Sequence, residues 1–238
     1  VIYMVGHKFG TTGNASRTWA INTYAAGRVG EALAGRRIVA FSTGNVYPLT
    51  PVIYGGATEE FQPDPVGEYG QSSLGRERMF EYMAQVYNSK VLLYRLNYAI
   101  DLRYGVLCDI AQRIFTGESV DLNMGHVNVI WQGDANERAL RALKYASSPA
   151  KPLNITGPET LSVRWLAHEL GKRMNKEVHF TGEEQSTALL SNAQESMRLF
   201  GYPKVSVHQM LDWTAEWIMS GGPLLDKPTH FTERKGAF

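Results

Sequence analysis

Short apolar runs along the chain alternate with longer segments in which apolar residues recur at helical spacing. Residues 1–5, 36–41 and 90–95 form runs of the first kind. Such runs are typical of parallel strands that are buried on both faces of a sheet. The pattern therefore predicts strands at these three places, with helices between them.

The first helical segment runs from Asn14 or Ser16, either of which can cap it, to about Leu33. Its apolar residues make one broad face. Asn22 lies in the middle of that face, although asparagine is unfavourable inside a helix because its side chain competes for backbone hydrogen bonds. Residue 22 therefore has either a structural role or a role in a site.

Further elements follow along the chain. Helices are predicted over residues 70–86, 104–115, 162–170 and 209–217, and strand over residues 121–131. Ser162 is placed to cap the helix that follows it. The tail after Gly221 contains Pro and Gly, and we expect it to be loosely held.

Composition narrows the class of protein. The chain has 238 residues, and its net charge of +1 gives no electrostatic signature for nucleic acid or an anionic membrane. No apolar run reaches the roughly 18 residues of a transmembrane helix, and no signal peptide is visible. The single cysteine, Cys108, excludes an internal disulfide and favours a reducing, cytoplasmic location. Its apolar surroundings favour packing over reactivity. The histidines lack metal-ligand spacing, so no metal site is predicted.

Most of the candidate chemistry lies between residues 41 and 77. The strand at 36–41 runs into Ser42 and Thr43, a long loop follows to Pro65, and the next helix begins near Tyr69. Parallel sheets bind ligands in the crevice outside the carboxyl ends of their strands. A hydroxyl residue there and a tyrosine on the next helix can meet over one substrate atom.

This stretch resembles the extended short-chain dehydrogenase/reductase family, of the NAD-dependent epimerase/dehydratase type. That family has Ser-Ser-x-x-Val-Tyr-Gly, an acidic residue followed by prolines, and Tyr-x-x-x-Lys with a Glu four residues on. The matching residues here are Ser42, Thr43, Val46, Tyr47, Glu59, Pro63, Pro65, Tyr69 and Glu77. The resemblance implies that Thr43 is the hydroxyl partner and Tyr69 the catalytic acid/base. Ser73 stands where the family has its lysine.

The resemblance also implies the architecture. It is an α/β fold, a Rossmann-like parallel sheet with helices on both faces plus a smaller C-terminal α/β substrate domain. Residues 1–102, with 132–158 returning, would form a partial dinucleotide-binding domain, and residues 103–238 the substrate-binding domain. The family's Gly-x-x-Gly-x-x-Gly loop and two further strands would precede Val1, and the Gly10–Gly13 segment is too late and too short for that loop. We therefore expect the N-terminal strands to be missing from this sequence.

The same resemblance assigns further site residues. Gly6-His7-Lys8 matches a Gly-x-Lys beside the nicotinamide ribose, so Lys8 either binds the cofactor or is a solvated loop lysine. Asn22 would order water and backbone near the active site, together with Thr43, Tyr69 and Ser73 as the catalytic set. The expected cofactor-binding residues are Gly6, Lys8, Ser42, Tyr69, Asn97 and Tyr98.

Two departures from the family pattern bear on activity. A phenol has an ordinary pKa of about 10, and an ammonium ~4 Å away would favour its ionised form by about 4 kcal/mol at an effective dielectric constant of 20. Ser73 supplies no such charge, although Lys8 could donate one from the opposite loop. Val127 stands where sugar-nucleotide enzymes carry a pyrophosphate-binding arginine. This argues against a nucleoside-diphosphate sugar as substrate.

The sequence leaves two hypotheses open. The first is a divergent NAD(P)-dependent epimerase/dehydratase or oxidoreductase acting on a hydroxyl or carbonyl of a small, sugar-like substrate. The second is a catalytically silent dinucleotide-binding or scaffold protein of the same fold. The cofactor would be NAD or NADP, and the residue that selects between them would precede Val1. We expect a small-molecule substrate and a homodimer, with neither nucleic acid nor membrane as a partner.

Overall fold

The computed structural model describes residues 1–8 and 13–237. Residues 10–12 of the predicted Gly10–Gly13 loop lie outside the described part. The helices are α1 (Ala15–Trp19), α2 (Ala25–Ala32), α3 (Gly67–Tyr87), α4 (Val106–Thr116), α5 (Gln132–Ala142), α6 (Val163–Met174), α7 (Gln194–Phe200) and α8 (Val207–Met219). The strands are β1 (Ile2–Tyr3), β2 (Arg37–Thr43), β3 (Thr50–Pro51), β4 (Lys90–Leu96), β5 (Ala99–Ile100), β6 (Val120–Asp121), β7 (His126–Val127), β8 (Ile130–Trp131), β9 (Lys151–Ile155), β10 (Leu161–Ser162), β11 (Phe180–Thr181) and β12 (Thr187–Ala188).

The centre of the molecule is a four-stranded sheet in the order β1-β2-β4-β9. All three strand pairs are parallel, with Ile2 opposite Val39, Val39 opposite Leu92, and Leu92 opposite Lys151. The carboxyl ends of the strands therefore meet at one edge of the sheet. The three apolar runs of the sequence all contribute strands to it, so the prediction of a parallel sheet is confirmed.

Helices cover both faces of this sheet. Side chains alternate along a strand, so Ile38 and Ala40 pack with α2 and α3 on one face. Val39, between them, packs on the opposite face with α5. The sheet is therefore the middle layer of a Rossmann-like arrangement, as the fold class predicted.

The first helical segment is not one regular helix. A π-helical turn, Ala20–Tyr24, separates α1 from α2, and Asn14 makes no side-chain capping hydrogen bond. Asn22 lies inside this turn and is fully buried. Single π turns within α-helices are frequent at functional sites, so the unfavourable asparagine of the sequence marks a local irregularity.

A second core lies beyond the sheet. It is formed chiefly by α4, α6 and α8. Ser162 caps α6 as predicted, because its Oγ accepts from the backbone N of Trp165 at 3.2 Å. The strand predicted over residues 121–131 is instead three two-residue strands, β6, β7 and β8, which pair with different partners. The domain boundaries themselves stay a prediction.

The C-terminal tail is packed against the molecule, so the expectation of a loosely held tail is wrong. Thr229 and Phe231 are 2% and 6% exposed. The backbone N and Oγ1 of Thr229 both donate to Asp109 of α4, at 2.8 and 2.5 Å. Near the end of the tail, Gly236 lies against Gly67 at the start of α3. Apolar and polar contacts along the tail outweigh the freedom that its Pro and Gly content suggested.

None of the described helices is both long and apolar enough to cross a membrane. The described side chains also contain no group of three or more His, Cys, Asp or Glu residues placed to hold a metal ion.

Candidate functional site

The two hydroxyl residues at the end of β2 have different surroundings. Ser42 is buried, and its Oγ donates to Glu77 Oε1 at 2.5 Å. Thr43 Oγ1 accepts from the backbone N of Asn45 at 3.2 Å and lies 3.1 Å from Asn45 Oδ1. Ser42 is therefore fixed to α3, whereas Thr43 begins the turn at the edge of the sheet.

A buried ionic network lies beneath this edge. Arg95 of β4 binds Glu77 of α3 through two hydrogen bonds of 2.9 and 2.7 Å. Its Nη1 also donates to the Tyr47 hydroxyl at 2.6 Å, which in turn donates to Asn154 Oδ1 at 2.9 Å. Burial alone would lower the pKa of Arg95, but the hydrogen bonds and charge of Glu77 outweigh it and raise the pKa. We call these four residues the paired network. It joins α3, β4, β9 and the turn after β2.

The start of α3 lies against the end of β2. A Cβ on Gly70 would come within 2.6 Å of the Asn45 carbonyl oxygen, so only glycine allows this approach. Tyr69 precedes Gly70 and is half-buried. The structure thus brings the helix that carries Tyr69 beside the turn that begins at Thr43. That the two hydroxyls share one substrate atom stays a prediction.

Lys8 belongs to this region and is not a solvated loop residue. Its Nζ lies 6.0 Å from the centroid of the Tyr69 ring and donates to the Thr229 carbonyl at 3.1 Å. Burial lowers the pKa of Lys8 to about 8, against the opposing effect of Asp109. A cation with a depressed pKa therefore faces the candidate acid/base.

Asn22 organises the loop after β1. Its Oδ1 accepts from the backbone N of His7 at 2.7 Å, and its Nδ2 donates to the His7 carbonyl at 2.9 Å. The same Nδ2 donates to Ser72 Oγ of α3 at 2.9 Å. The side chain thereby fixes the backbone next to Lys8, and its role near an active site stays a prediction.

Arg76 is a site residue that the sequence reasoning missed. It is 5% exposed and lies in α3. Its Nη2 and Nε donate to Asn22 Oδ1 and to the Asn22 carbonyl at 2.6 and 3.2 Å, and its Nη1 donates to the Phe41 carbonyl at 2.9 Å. A Cβ on Gly6 would lie 2.9 Å from Nη2. We call Asn22, Arg76 and Lys8, with Tyr69, the cationic cluster.

Ser73 stands between Tyr69 and Arg76 on α3. It is fully buried, and its Oγ has no hydrogen-bond partner among the described residues. No charge replaces the family lysine at this position. The positive charges near Tyr69 come from Lys8 and Arg76 instead.

Asn97 and Tyr98 face the second core. Asn97 Nδ2 donates to Asn128 Oδ1 at 3.0 Å, and Asn128 Nδ2 donates to the Ser191 carbonyl at 2.8 Å. Tyr98 has a positive φ of 38° and packs against the second core. These two residues therefore connect the end of β4 to the second core, and a role in binding cofactor stays a prediction. Val127 is a buried core residue of β7.

The far wall of the region is formed by α4 and the tail. Burial raises the pKa of Tyr104, and the charges of Asp109 and Tyr69 add to the effect. Tyr104, Asp109 and Phe231 line a cleft of about 440 Å³. Cys108 also faces it, but burial raises the pKa of this thiol to about 12, and its Sγ donates to the carbonyls of Asp101 and Leu102. Cys108 is buried, as the prediction of packing expected.

Comparison with known proteins rests on structure. No protein-family model and no curated protein sequence matches the chain. Among solved structures, MoeE5 in complex with UDP-glucose and NAD is 15% identical, with a TM-score of 0.75 over 93% of this chain and 79% of that one. RMD from Pseudomonas aeruginosa complexed with NADPH is 19% identical, with a TM-score of 0.76 over 91% and 80%. UDP-glucuronic acid 4-epimerase from Bacillus cereus in complex with NAD is 16% identical, with a TM-score of 0.76 over 91% and 71%.

The chain has the fold of these proteins. At identities below 20% the likeness concerns the fold alone. It confirms the Rossmann-like class that the resemblance implied.

Proposed function

We propose that this chain is a divergent NAD(P)-dependent epimerase/dehydratase or oxidoreductase that acts on a hydroxyl or carbonyl of a small, sugar-like substrate. The observation that carries the proposal is the placement of Tyr69. It lies beside the carboxyl edge of a parallel sheet, with the Lys8 ammonium 6.0 Å from its ring. Three solved proteins of this fold are described in complex with NAD or NADPH.

The residues around Tyr69 suit the nicotinamide end of such a cofactor. Lys8 and Tyr69 offer hydrogen-bond donors that fit ribose hydroxyls, and Asn22 fixes the loop that presents Lys8. Bound NAD(P) would supply a hydride acceptor or donor. The buried Ser73 hydroxyl, which lacks a partner among the described residues, is a further donor in this region.

The chain's own part in the reaction is proton transfer and orientation. Tyr69 donates a proton to a substrate carbonyl oxygen during reduction and accepts one from an alcohol during oxidation. Thr43 holds the same oxygen by a hydrogen bond. The Lys8 ammonium lies 6.0 Å from the centroid of the Tyr69 ring, so its positive charge assists proton removal from an alcohol.

The substrate side differs from that of an enzyme for nucleoside-diphosphate sugars. Val127 is buried in β7 and cannot bind phosphate, and Asn128 is engaged with Asn97 and Ser191. We therefore propose a substrate without a pyrophosphate group.

The proposal is tested by titrating the full-length protein with NADH and with NADPH and following nucleotide fluorescence. We expect one of the two nucleotides to bind saturably, with a dissociation constant below about 1 mM, the upper end of typical KM values. Tyr69→Phe should bind the nucleotide but lose about 100-fold or more in turnover, since general acid–base catalysis contributes 10²–10⁴-fold. Absence of binding at millimolar nucleotide would refute the proposal.

The second candidate is a catalytically silent nucleotide-binding or scaffold protein. The neutral, buried Ser73 in place of a lysine favours it. On this reading Tyr69→Phe leaves the cellular phenotype unchanged. A lost phenotype in a folded Tyr69→Phe variant would exclude it.

We also propose a homodimer in the cytoplasm. Gly27 and Gly30 of α2 lie against Met79 and Met83 of α3, so the two helices pack side by side. Exposed aromatic and apolar side chains remain on this side of the molecule, namely Tyr24, Tyr82 and Val86. Light scattering of the purified protein measures its mass directly.

A further inference from the structure

Arg76 is a buried cation without a carboxylate partner. Its three hydrogen bonds go to amide and carbonyl oxygens of Asn22 and Phe41, and no ion pair joins it to any described acidic residue. A buried charge is costly unless it is paired. A neutral side chain could donate to the same oxygens at lower cost, so the retained charge points to a use for the charge itself.

The helix geometry directs this charge toward Tyr69. Arg76 follows Tyr69 by seven positions, which is about two turns of α3. Side chains on a helix lean toward its N-terminus, and the Arg76 guanidinium lies beside Asn22 and the Phe41 carbonyl. Burial lowers the pKa of Arg76, while the nearby Tyr69, Tyr3 and Glu77 raise it. Tyr69 and Arg76 are thus near enough to interact electrostatically.

We propose that Arg76 supplies the fixed positive charge of this site in place of a lysine at position 73, favouring the phenolate of Tyr69 and holding the Gly6–Lys8 loop through Asn22. The catalytic part of this assignment rests on the proposed function. Arg76 is a positioning residue, because it acts through Tyr69 and Asn22.

The effects of Lys8 and Arg76 on the Tyr69 hydroxyl can be distinguished by changing the pH. The groups that face Tyr69 are Lys8 on the loop after β1, Arg76 on its own helix, and Tyr104 on the segment before α4, behind which lies Asp109. Lys8 loses its proton near pH 8, whereas arginine stays charged at every accessible pH. Above pH 8, Arg76 therefore carries the effect.

The test compares Arg76→Gln with Arg78→Gln. Arg78 lies on the same helix but is exposed, and it pairs with Glu81 on the surface. The tyrosinate absorbance of Tyr69 is isolated as the difference between each protein and its Tyr69→Phe counterpart over pH 8–12. We expect the midpoint of this signal to rise by about one pH unit or more in Arg76→Gln and to stay unchanged in Arg78→Gln. Equal midpoints in the two folded variants would overturn the proposal.

A further pair of variants guards against misfolding. Arg76→Lys keeps the charge but loses the forked hydrogen bonds. A wild-type midpoint in Arg76→Lys supports the charge role, and a midpoint displaced as in Arg76→Gln contradicts it. The absorbance readout needs no nucleotide, so failure of the Arg76 assignment is distinct from failure of NAD(P) binding. If turnover is present, the double variant Ser73→Lys/Arg76→Gln should recover most of the activity lost in Arg76→Gln, with the pH–rate profile returning toward that of the wild type.

Discussion

The paired network and the cationic cluster lie on opposite sides of the end of β2 and handle buried charge differently. In the paired network, Arg95 meets Glu77 at 2.7 Å and every polar group has a partner. In the cationic cluster, Arg76 meets only neutral oxygens, and Lys8 has a depressed pKa. The first arrangement satisfies its buried charges, and the second, on our proposal, keeps positive potential beside Tyr69 at a cost in stability. The buried charged residues of this region therefore form two groups: those that hold the fold together, and those that are candidates for the chemistry.

The largest expected effect comes from breaking the paired network. Glu77→Gln leaves Arg95 buried without its carboxylate, and we expect a loss of about 3–5 kcal/mol in the free energy of unfolding. Urea denaturation followed by circular dichroism measures it. Glu81→Gln, which removes the surface pair with Arg78 on the same helix, should cost less than about 1 kcal/mol. Similar losses in the two variants would mean that the network is not the stabilising element.

In contrast to the paired network, the charge of Lys8 is expected to lower the free energy of unfolding. Its pKa falls from 10.5 to about 8 on folding, so between these pH values the unfolded chain holds a proton that the folded chain has lost. The free energy of unfolding therefore rises with pH across this window, by about 3 kcal/mol at most. Below pH 8 both states are protonated, and the unfavourable contribution is constant.

Lys8→Met removes this contribution. We expect the variant to be more stable than the wild type at pH 7, with the difference shrinking as the pH rises from 8 to 10.5. Lys172→Met, on an exposed lysine, should give a difference that does not change over the same window. If the free energies of unfolding of Lys8→Met and the wild type change in parallel with pH, burial of the Lys8 charge does not destabilise the fold.

The smallest effect compares two neighbouring serines of α3 beside the cationic cluster. Ser72 and Ser73 are both fully buried, but Ser72 Oγ accepts from Asn22 Nδ2 while Ser73 Oγ has no partner among the described residues. Ser72→Ala should cost about 1 kcal/mol, because it leaves one N–H of the Asn22 amide without its acceptor. Ser73→Ala should be neutral or stabilising by a few tenths of a kcal/mol. Thermal melts of both variants decide the order, and a larger loss for Ser73→Ala would contradict it.

Much of the fold could be read from the sequence because parallel strands leave a strong signal. The runs that became β2 and β4 are apolar on both faces, and the cap at Ser162 is a local feature. Short strands such as β6, β7 and β8 give no such signal, since two residues carry no periodicity. The packing of the tail depends on long-range contacts of Thr229 with Asp109 and Lys8, which local composition does not encode.

The sequence predicted some residues of the candidate site and missed others, for a related reason. Thr43, Tyr69 and Asn22 stand at positions that a motif or an unfavourable residue marks. Arg76 was missed because a single arginine on a helix is usually exposed. Its spacing of seven from Tyr69, on the same helix face, was the available signal. Ser42 stands at a motif position, its Oγ donates to Glu77 in the structure, and its role in binding cofactor stays a prediction.

The π turn at Ala20–Tyr24 has a consequence for how this helix can vary. A π turn closes with a wider hydrogen-bond step than an α-helical turn, so it accommodates one residue more than the regular helix would. Deleting one amino acid here would convert the turn to regular α-helix and leave the two flanking helices in their present register. Asn22 would then lose the wider turn that carries it toward His7 and Arg76. The geometry around Tyr69 thus depends on an apparent imperfection that a more regular helix would erase.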